Sequence, residues 1–290
     1  MVLLVLGALT LDVSLVVFRV DRVAVALPEG PGTTWVLVGL DSRAALPEGA
    51  SVEDFGSTDE VRGSRADVVL IVHDSGEHTS AFSVSRDVVV SRRASPGRLA
   101  LSWLDGPQST VDALCGLGVA ADHLVAVDLA GFAAVVDAAG GLDVDVPEPV
   151  RDRLAGLELP AAGPRHVDGA TALAMVRSRH PEHLVGGKWV AAPEDPDGRA
   201  TTAGTVVSAL SGAVDSARWR PWRLQSLAWA ASGALTVDTG TSTGELLALA
   251  GTELDEVEVL PVGEAVDGTL ARFPTDATSS ALDAAGMSCG

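Results

Sequence analysis

The chain opens on residues 1–18, which are apolar except for Thr10, Asp12 and Ser14. At 1.5 Å per residue a helix over this run is about 27 Å long, close to the thickness of a bilayer core. Asp12 opposes insertion by about 2.5–3.5 kcal/mol, and a dozen Leu, Val and Phe residues each return roughly 0.3–0.6 kcal/mol, so the balance favours a membrane anchor. The first cations, Arg19 and Arg22, follow the run. On the positive-inside rule alone they would place the remainder in the cytoplasm.

Beyond the Gly- and Pro-rich stretch around residues 27–34, Trp35–Leu40 is a continuous apolar run of buried-strand type. Residues 44–64 are a polar, acidic insertion. Val68–His73 and Thr79–Val84, separated by the turn-like Asp74–His78, form a hairpin. A helix is expected over 108–117, a strand over 123–128, and a helix over 129–139 that Gly140-Gly141 stops. Residues 142–147 alternate like a strand. Asp168 reads as the N-cap of a helix from Gly169 to Arg179, and 186–199 reads as a loop. Helical patterns return at 200–216, 222–233, 243–250 and 279–286, with a strand near 256–261. Interleaved helices and strands, with at least one hairpin, predict an α/β or α+β fold: a mixed, partly antiparallel sheet covered by helices. The boundaries follow as 1–26 for anchor and connector and 27–290 for one domain.

Charge narrows the function. Twenty Lys+Arg against 39 Asp+Glu leave a net charge of −19, and the cations are 19 scattered Arg and one Lys, Lys188. A duplex-DNA binder needs a basic stripe, so nucleic acid is excluded as a partner. Two cysteines, Cys115 and Cys289, exclude a disulfide-rich scaffold and a four-Cys zinc site and leave open one bridge or two thiols. The chain has no G-x-S-x-G, Walker A, H-E-x-x-H or G-x-G-x-x-G motif, which counts against serine hydrolases, P-loop NTPases, zincins and dinucleotide oxidoreductases.

What recurs is a charged group at the end of an apolar element. Asp41 and Arg43 follow the strand 35–40, Arg65 and Asp67 precede the next, Arg86 and Asp87 follow the third, and Arg177 and Arg179 end the helix from Gly169. Taken singly, each is also what a solvated strand end looks like. In order, the segments VLVGLDSR, SRADVVLIVHDSGEHTSAFSVSRD, DHLVAVDLAGFAAVVDAAGGLDVDVPEPV, LPAAGPRHVDGATALAMVRSRH and DPDGR resemble the LytR-CpsA-Psr family of cell-wall glycopolymer transferases over nearly all of the chain after residue 34. The sequence departs from the family at Arg98 and Ala100, where members often carry Lys and Asn, and at Thr202-Ala203-Gly204 in place of Arg-Gln-Gln.

The resemblance implies a Mg²⁺-dependent phosphotransferase that moves an anionic glycopolymer from a polyprenyl-pyrophosphate carrier to a peptidoglycan hydroxyl, with pyrophosphatase activity as a side reaction. It also implies a single-pass membrane anchor with an extracytoplasmic domain, against the charge-based orientation. By motif match the catalytic residues are Asp41, Asp67, Arg65 and Arg86. Arg43, Arg65, Arg86, Arg177, Arg179 and Arg199 hold the pyrophosphate, whose oxygens suit planar guanidinium forks. Asp41 and Asp67 ligate the metal, and either could be the general base. Asp87 reads as a participant or as an ion-pair partner orienting an arginine. The helices 129–139 and 169–176 could line an apolar groove for the polyprenyl tail, or Phe132, Val136 and Leu173 could simply be core. A non-catalytic glycopolymer-binding or scaffolding paralogue is the alternative, motivated by the departures.

Overall fold

The computed structural model describes residues 18–42, 63–92, 95–193, 195, 197–217, 219–252, 254 and 256–289. The apolar run 1–17 and most of the acidic insertion, with Arg43, lie outside them.

A seven-stranded mixed sheet runs in the order β1 (Asp21–Val23), β14 (Leu235–Asp238), β7 (His123–Asp128), β2 (Thr33–Leu40), β3 (Ala66–Asp74), β4 (Thr79–Val84) and β15 (Glu258–Val259). β2, β3 and β4 are antiparallel neighbours, whereas β2 and β7 run parallel, so the expected hairpin is set in a mixed sheet. Period-2 alternation divides its residues between two faces. Val36, Val38, Val69, Ile71, Phe82 and Leu124 pack into one core with α1 (Pro107–Cys115) and α7 (Asp276–Ala284). Trp35, Leu37, Val72 and Val125 face the other way.

A helical layer covers that second face: α2 (Leu129–Ala139), α3 (Gly169–Arg177), α4 (Gly198–Ala217), α5 (Pro221–Ala234) and α6 (Thr243–Ala250). β8 (Leu142–Val146) pairs with β11 (Gly163–Val167), and β9 (Val150–Asp152), β10 (Leu157–Leu159), β12 (Glu182–Val185) and β13 (Lys188–Ala191) form a small sheet. Val136, Leu142, Leu157 and Val206 close a second core among these elements. Gly169 lets α2 and α3 cross closely, since a Cβ there would stand 2.2 Å from the Ala133 carbonyl oxygen, and its N–H donates to Asp137 at 2.7 Å.

Three expectations are corrected. The stretch 186–199 is not a loop throughout, because Gly186-Gly187, both at positive φ, turn β12 into β13. The helix from Gly169 ends at Arg177, with Ser178 extended at ψ 129°. The expected strand near 256–261 pairs only over Glu258–Val259. The two cysteines form a disulfide, which ties the end of α1 to the C-terminal segment across a sequence separation of 174. Among the described residues no helix is long and apolar enough to cross a membrane.

Candidate functional site

Packing between the sheet's second face and the helical layer is incomplete. It leaves a cavity of about 730 Å³ whose apolar wall includes Leu37 and Val125 from the sheet, Phe132, Leu173 and Val206 from α2–α4, and Leu227 and Leu246 from α5 and α6. The groove alternative is thereby divided: Phe132 and Leu173 line the cavity, and Val136 is fully buried core. Asp41, Asp67, Asp152, Arg177, Arg179 and His180 line it too, which sets a charged group of residues at the edge of an apolar space.

The charged end is built by strand geometry. Pairing between β2 and β3 matches Gly39 with Val68 and Leu40 with Ala66, which leaves Asp67 as the extra residue of a bulge. Gly39 permits the approach, because a Cβ there would lie 3.0 Å from the Val68 Cβ. The Asp41 N–H donates to the Arg65 carbonyl at 2.9 Å, so the two strand ends are joined where both carry charge. The largely buried Asp67 carboxylate takes a guanidinium on each oxygen: Arg86 on Oδ1, and Arg179 on Oδ2 at 3.2 Å.

Arg86 sits in the turn after β4 and is held from behind. Asp87 pairs with it at 3.7 Å and accepts a 2.8 Å hydrogen bond from Arg98, while the Arg86 carbonyl accepts from the Ala100 N–H at 2.9 Å. Asp87 is therefore an ion-pair partner that orients an arginine. Arg98 does this structural work at one of the positions where the sequence differs from the family pattern it resembles. The Nε atoms of Arg65 and Arg86 are buried with no hydrogen-bond acceptor among the described residues. The Arg86 Nε is the atom that faces Asp87 at 3.7 Å, beyond hydrogen-bond distance.

Arg177 and Arg179 reach the site because α3 has ended between them. Beyond Arg177 the chain is caught by Asp152 of β9, 1% exposed, which accepts from Ser178 Oγ at 2.9 Å, Arg179 N at 2.8 Å and His180 N at 2.7 Å. Burial alone would raise the Asp152 pKa, but the hydrogen bonds from His180, Arg179, Ser178 and Ala155 together hold it below the ordinary carboxylate value. Arg199 lies in the first turn of α4, with Ala200 and Ala203 of that helix beside Arg86 and Asp67.

Three supporting residues escaped the sequence reading. Asp152 sat in a polar stretch with no motif, Arg98 registered only as a departure, and Arg272 lies outside every motif. Arg272 is 5% exposed, pairs with Asp197 at the start of α4, and donates from Nε to the Gly263 carbonyl at 2.8 Å. Its backbone bonds with Asp87 and Val89 tie the Arg86 turn to the α4 entrance. No local pattern announces such a partner.

As for a metal, no group of three or more His, Cys, Asp or Glu poised to hold an ion occurs among the described residues. The Asp41 and Asp67 pair is nonetheless chemically suited to Mg²⁺, which takes one or two carboxylates and completes its shell with water and phosphate oxygens.

Guanidiniums and carboxylates at the edge of an apolar cavity have the chemistry to take an amphiphilic anion, charged at one end and apolar at the other. Comparison with known proteins agrees with the motifs. The LytR_cpsA_psr family model matches residues 25–187, and the chain belongs to that family. It is 35% identical over 172 residues to LcpB of Corynebacterium glutamicum, described as a probable cell wall biosynthesis protein, and 29% identical over 182 residues to the cell wall biosynthesis protein LcpA of the same organism. These matches cover 56% and 51% of this chain, and only 40% and 35% of the relatives' own lengths. The structure is similar to the LytR-Csp2A-Psr enzyme from Actinomyces oris, with a TM-score of 0.77 at 36% identity over 93% of this chain and 97% of that one. It shares its fold, at 16% identity and a TM-score of 0.64, with TagT bound to LI-WTA, over 91% of this chain and 98% of that one.

Proposed function

We propose that this chain transfers an anionic glycopolymer, with its phosphate, from a polyprenyl-pyrophosphate carrier to a hydroxyl of peptidoglycan. The observation that carries this reading is the gathering of the Arg86 and Arg179 guanidiniums on Asp67, with Arg177 and Arg179 at the charged edge of an apolar cavity. A pyrophosphate matches the guanidiniums at the cavity's charged edge and a polyprenyl chain matches its apolar wall. The relatives' association with cell wall biosynthesis, and the LI-WTA bound by a structural neighbour, support the same substrate class.

In the reaction the acceptor oxygen bonds to the phosphorus attached to the glycan, and the bond from that phosphorus to the bridging oxygen breaks. The proton of the hydroxyl passes to a carboxylate of the Asp41 and Asp67 pair, and polyprenyl phosphate leaves. Arg86 and Arg179, already fixed through Asp67, are placed to hold pyrophosphate oxygens bidentately and to stabilise the charge that gathers on the leaving phosphate. Arg65 and Arg177 add to that field, with Arg43 and Arg199 assigned to the same role by motif. Mg²⁺, held by Asp41 and Asp67, would neutralise phosphate charge when bound. The disulfide fits an oxidising, extracytoplasmic setting for the domain, with residues 1–18 as the anchor.

The test uses the full chain with Mg²⁺, a polyprenyl-pyrophosphate-linked glycan and peptidoglycan, and reads release of polyprenyl phosphate. Arg86→Ala is expected to lower the rate about 10²–10³-fold with the fold intact. No turnover with any lipid-linked donor, together with unchanged donor binding in Arg86→Ala, refutes the proposal. Tight donor binding that depends on Arg86, without turnover, would instead establish the scaffolding reading that Ala100 and Thr202–Gly204 motivate.

A further inference from the structure

Helix α5 is apolar on two flanks, and among the described residues one lines the cavity while the other is largely exposed. Leu224, Leu227, Ala228 and Ala231 line the cavity. At 100° per residue Trp222 and Trp229, two turns apart, share the opposite flank. Trp222 is 71% exposed and Trp229 43%, and Trp219, just before the helix, is 78% exposed. Three of the chain's six tryptophans are thus exposed on α5 or just before it. α6 has the same character: it has no buried residue, and Leu247 lines the cavity while being 65% exposed. Leu224 is also both cavity-lining and exposed, so the cavity opens at this face. Single exposed apolar side chains need no explanation, but a continuous group of this size marks an interaction surface.

Three observations identify the occupant. The apolar run 1–17 leads into exposed Phe18 and then Arg19, whose guanidinium lies 4.1 Å over the Trp229 ring, so the apolar run joins the fold at this flank. The segment 218–223 reads Arg-Trp-Arg-Pro-Trp-Arg, three cations and no acid in a chain of net charge −19. Among the acids of this region, Glu245 is held in the α6 capping box and buried Asp238 accepts from the Leu124 and Thr241 N–H groups, while Asp21 is exposed two residues from Arg19. Tryptophan rings settle at the headgroup level of a bilayer and arginines pair with lipid phosphates, a combination that suits neither a second acidic copy of this chain nor bulk water.

We propose that the outer flank of α5 and the exposed edge of α6 rest on an anionic lipid bilayer, with Trp219, Trp222 and Trp229 at headgroup level and Arg19 and Arg220 on lipid phosphates. The cavity mouth then faces the membrane. The contact is independent of transfer chemistry, since it is a property of this surface and is read without turnover.

The full chain reconstituted into vesicles containing phosphatidylglycerol with brominated acyl chains tests it by tryptophan fluorescence. Bromines quench only at near contact, so about half of the emission should be lost, three of six tryptophans. Trp219→Phe/Trp222→Phe/Trp229→Phe, all at exposed positions and checked by circular dichroism, should abolish the quenching although residues 1–17 still hold the protein on the vesicle. Arg220→Gln should reduce it. No quenching in the unaltered chain, quenching that survives the triple substitution, or equal quenching in vesicles of phosphatidylcholine alone would each overturn the proposal. So would a concentration-dependent blue shift without lipid, which would show a second copy on the face.

Discussion

Asp152→Ala tests whether one buried carboxylate positions Arg179 at the site. In the intact protein it accepts from the Ser178 hydroxyl and from the N–H groups of Leu154, Ala155, Arg179 and His180. Hydrogen bonds to a charged acceptor contribute about 1.5–3 kcal/mol each, and abandoned buried donors cost a similar amount. Because water can enter beside the cavity and the bonds share one acceptor, the five do not add, and a loss of about 3–5 kcal/mol is expected. For a chain of this size that lowers the melting temperature by roughly 10 °C, measurable by circular dichroism. The acidic limb gives a second readout. A carboxylate held below its unfolded pKa contributes stability that is complete above about pH 3.9 and is lost as pH falls through the folded value. Asp152→Asn should therefore melt lower than the unaltered protein at neutral pH, and the gap should close on acidification. A melting temperature within about 2 °C of the unaltered protein for Asp152→Ala, or a gap that does not shrink on acidification, would refute the positioning role.

Reducing the Cys115–Cys289 bridge opens a loop of 174 residues. Chain-entropy arithmetic sets the ceiling near 5 kcal/mol. A loss of about 3–5 kcal/mol should appear as a lower denaturant midpoint, and equal midpoints with and without reductant would contradict it. Gly169→Ala drives a methyl onto the Ala133 carbonyl and should cost about 2–3 kcal/mol, read in the same denaturation assay; an unchanged midpoint would mean that α2 and α3 separate freely. Leu210→Trp extends an indole into the cavity and should weaken binding of a polyprenyl phosphate roughly tenfold while binding of inorganic pyrophosphate is kept, as calorimetry would show; equal loss of both would place the two ligands elsewhere.

The strands β2, β3, β4 and β7 and helix α2 were legible because their cues are local, whereas β1 and β14 at the sheet's edge and β9, β10 and β11 were not read from the sequence. Val36 and Val38 alternate with Trp35 and Leu37, and α2 stops where Gly140 adopts a left-handed φ of 93°. Asp168 caps α3 through the Thr171 N–H at 2.8 Å, as its spacing from the apolar run predicts. The errors fell where a partner far along the chain decides. β12 and β13 pair across two glycines because β9 offers an edge to β12, and nothing within 186–199 reports that edge. α3 ends at Arg177 because Asp152, 26 residues upstream of Ser178, collects the next N–H groups. At the site itself, Asp67, Arg86, Arg177 and Arg179 were visible as charges ending apolar elements. Their supports, Arg98, Asp152 and Arg272, were not, since a supporting residue needs only a suitable charge at a suitable place in space.

Periodicity, caps and motifs, written in neighbouring residues, revealed the helices, the central strands, the family, and which charged side chains stand at element ends. Only the tertiary structure decided that Arg179 meets Asp67 across 112 residues, that the two cysteines pair, and that the layer over the sheet stops short of closing. Those outcomes depend on the register of strands and the crossing of helices. A bulge of one residue at Asp67, or one missing side chain at Gly169, sets which distant atoms meet, and no local pattern encodes the distance between them.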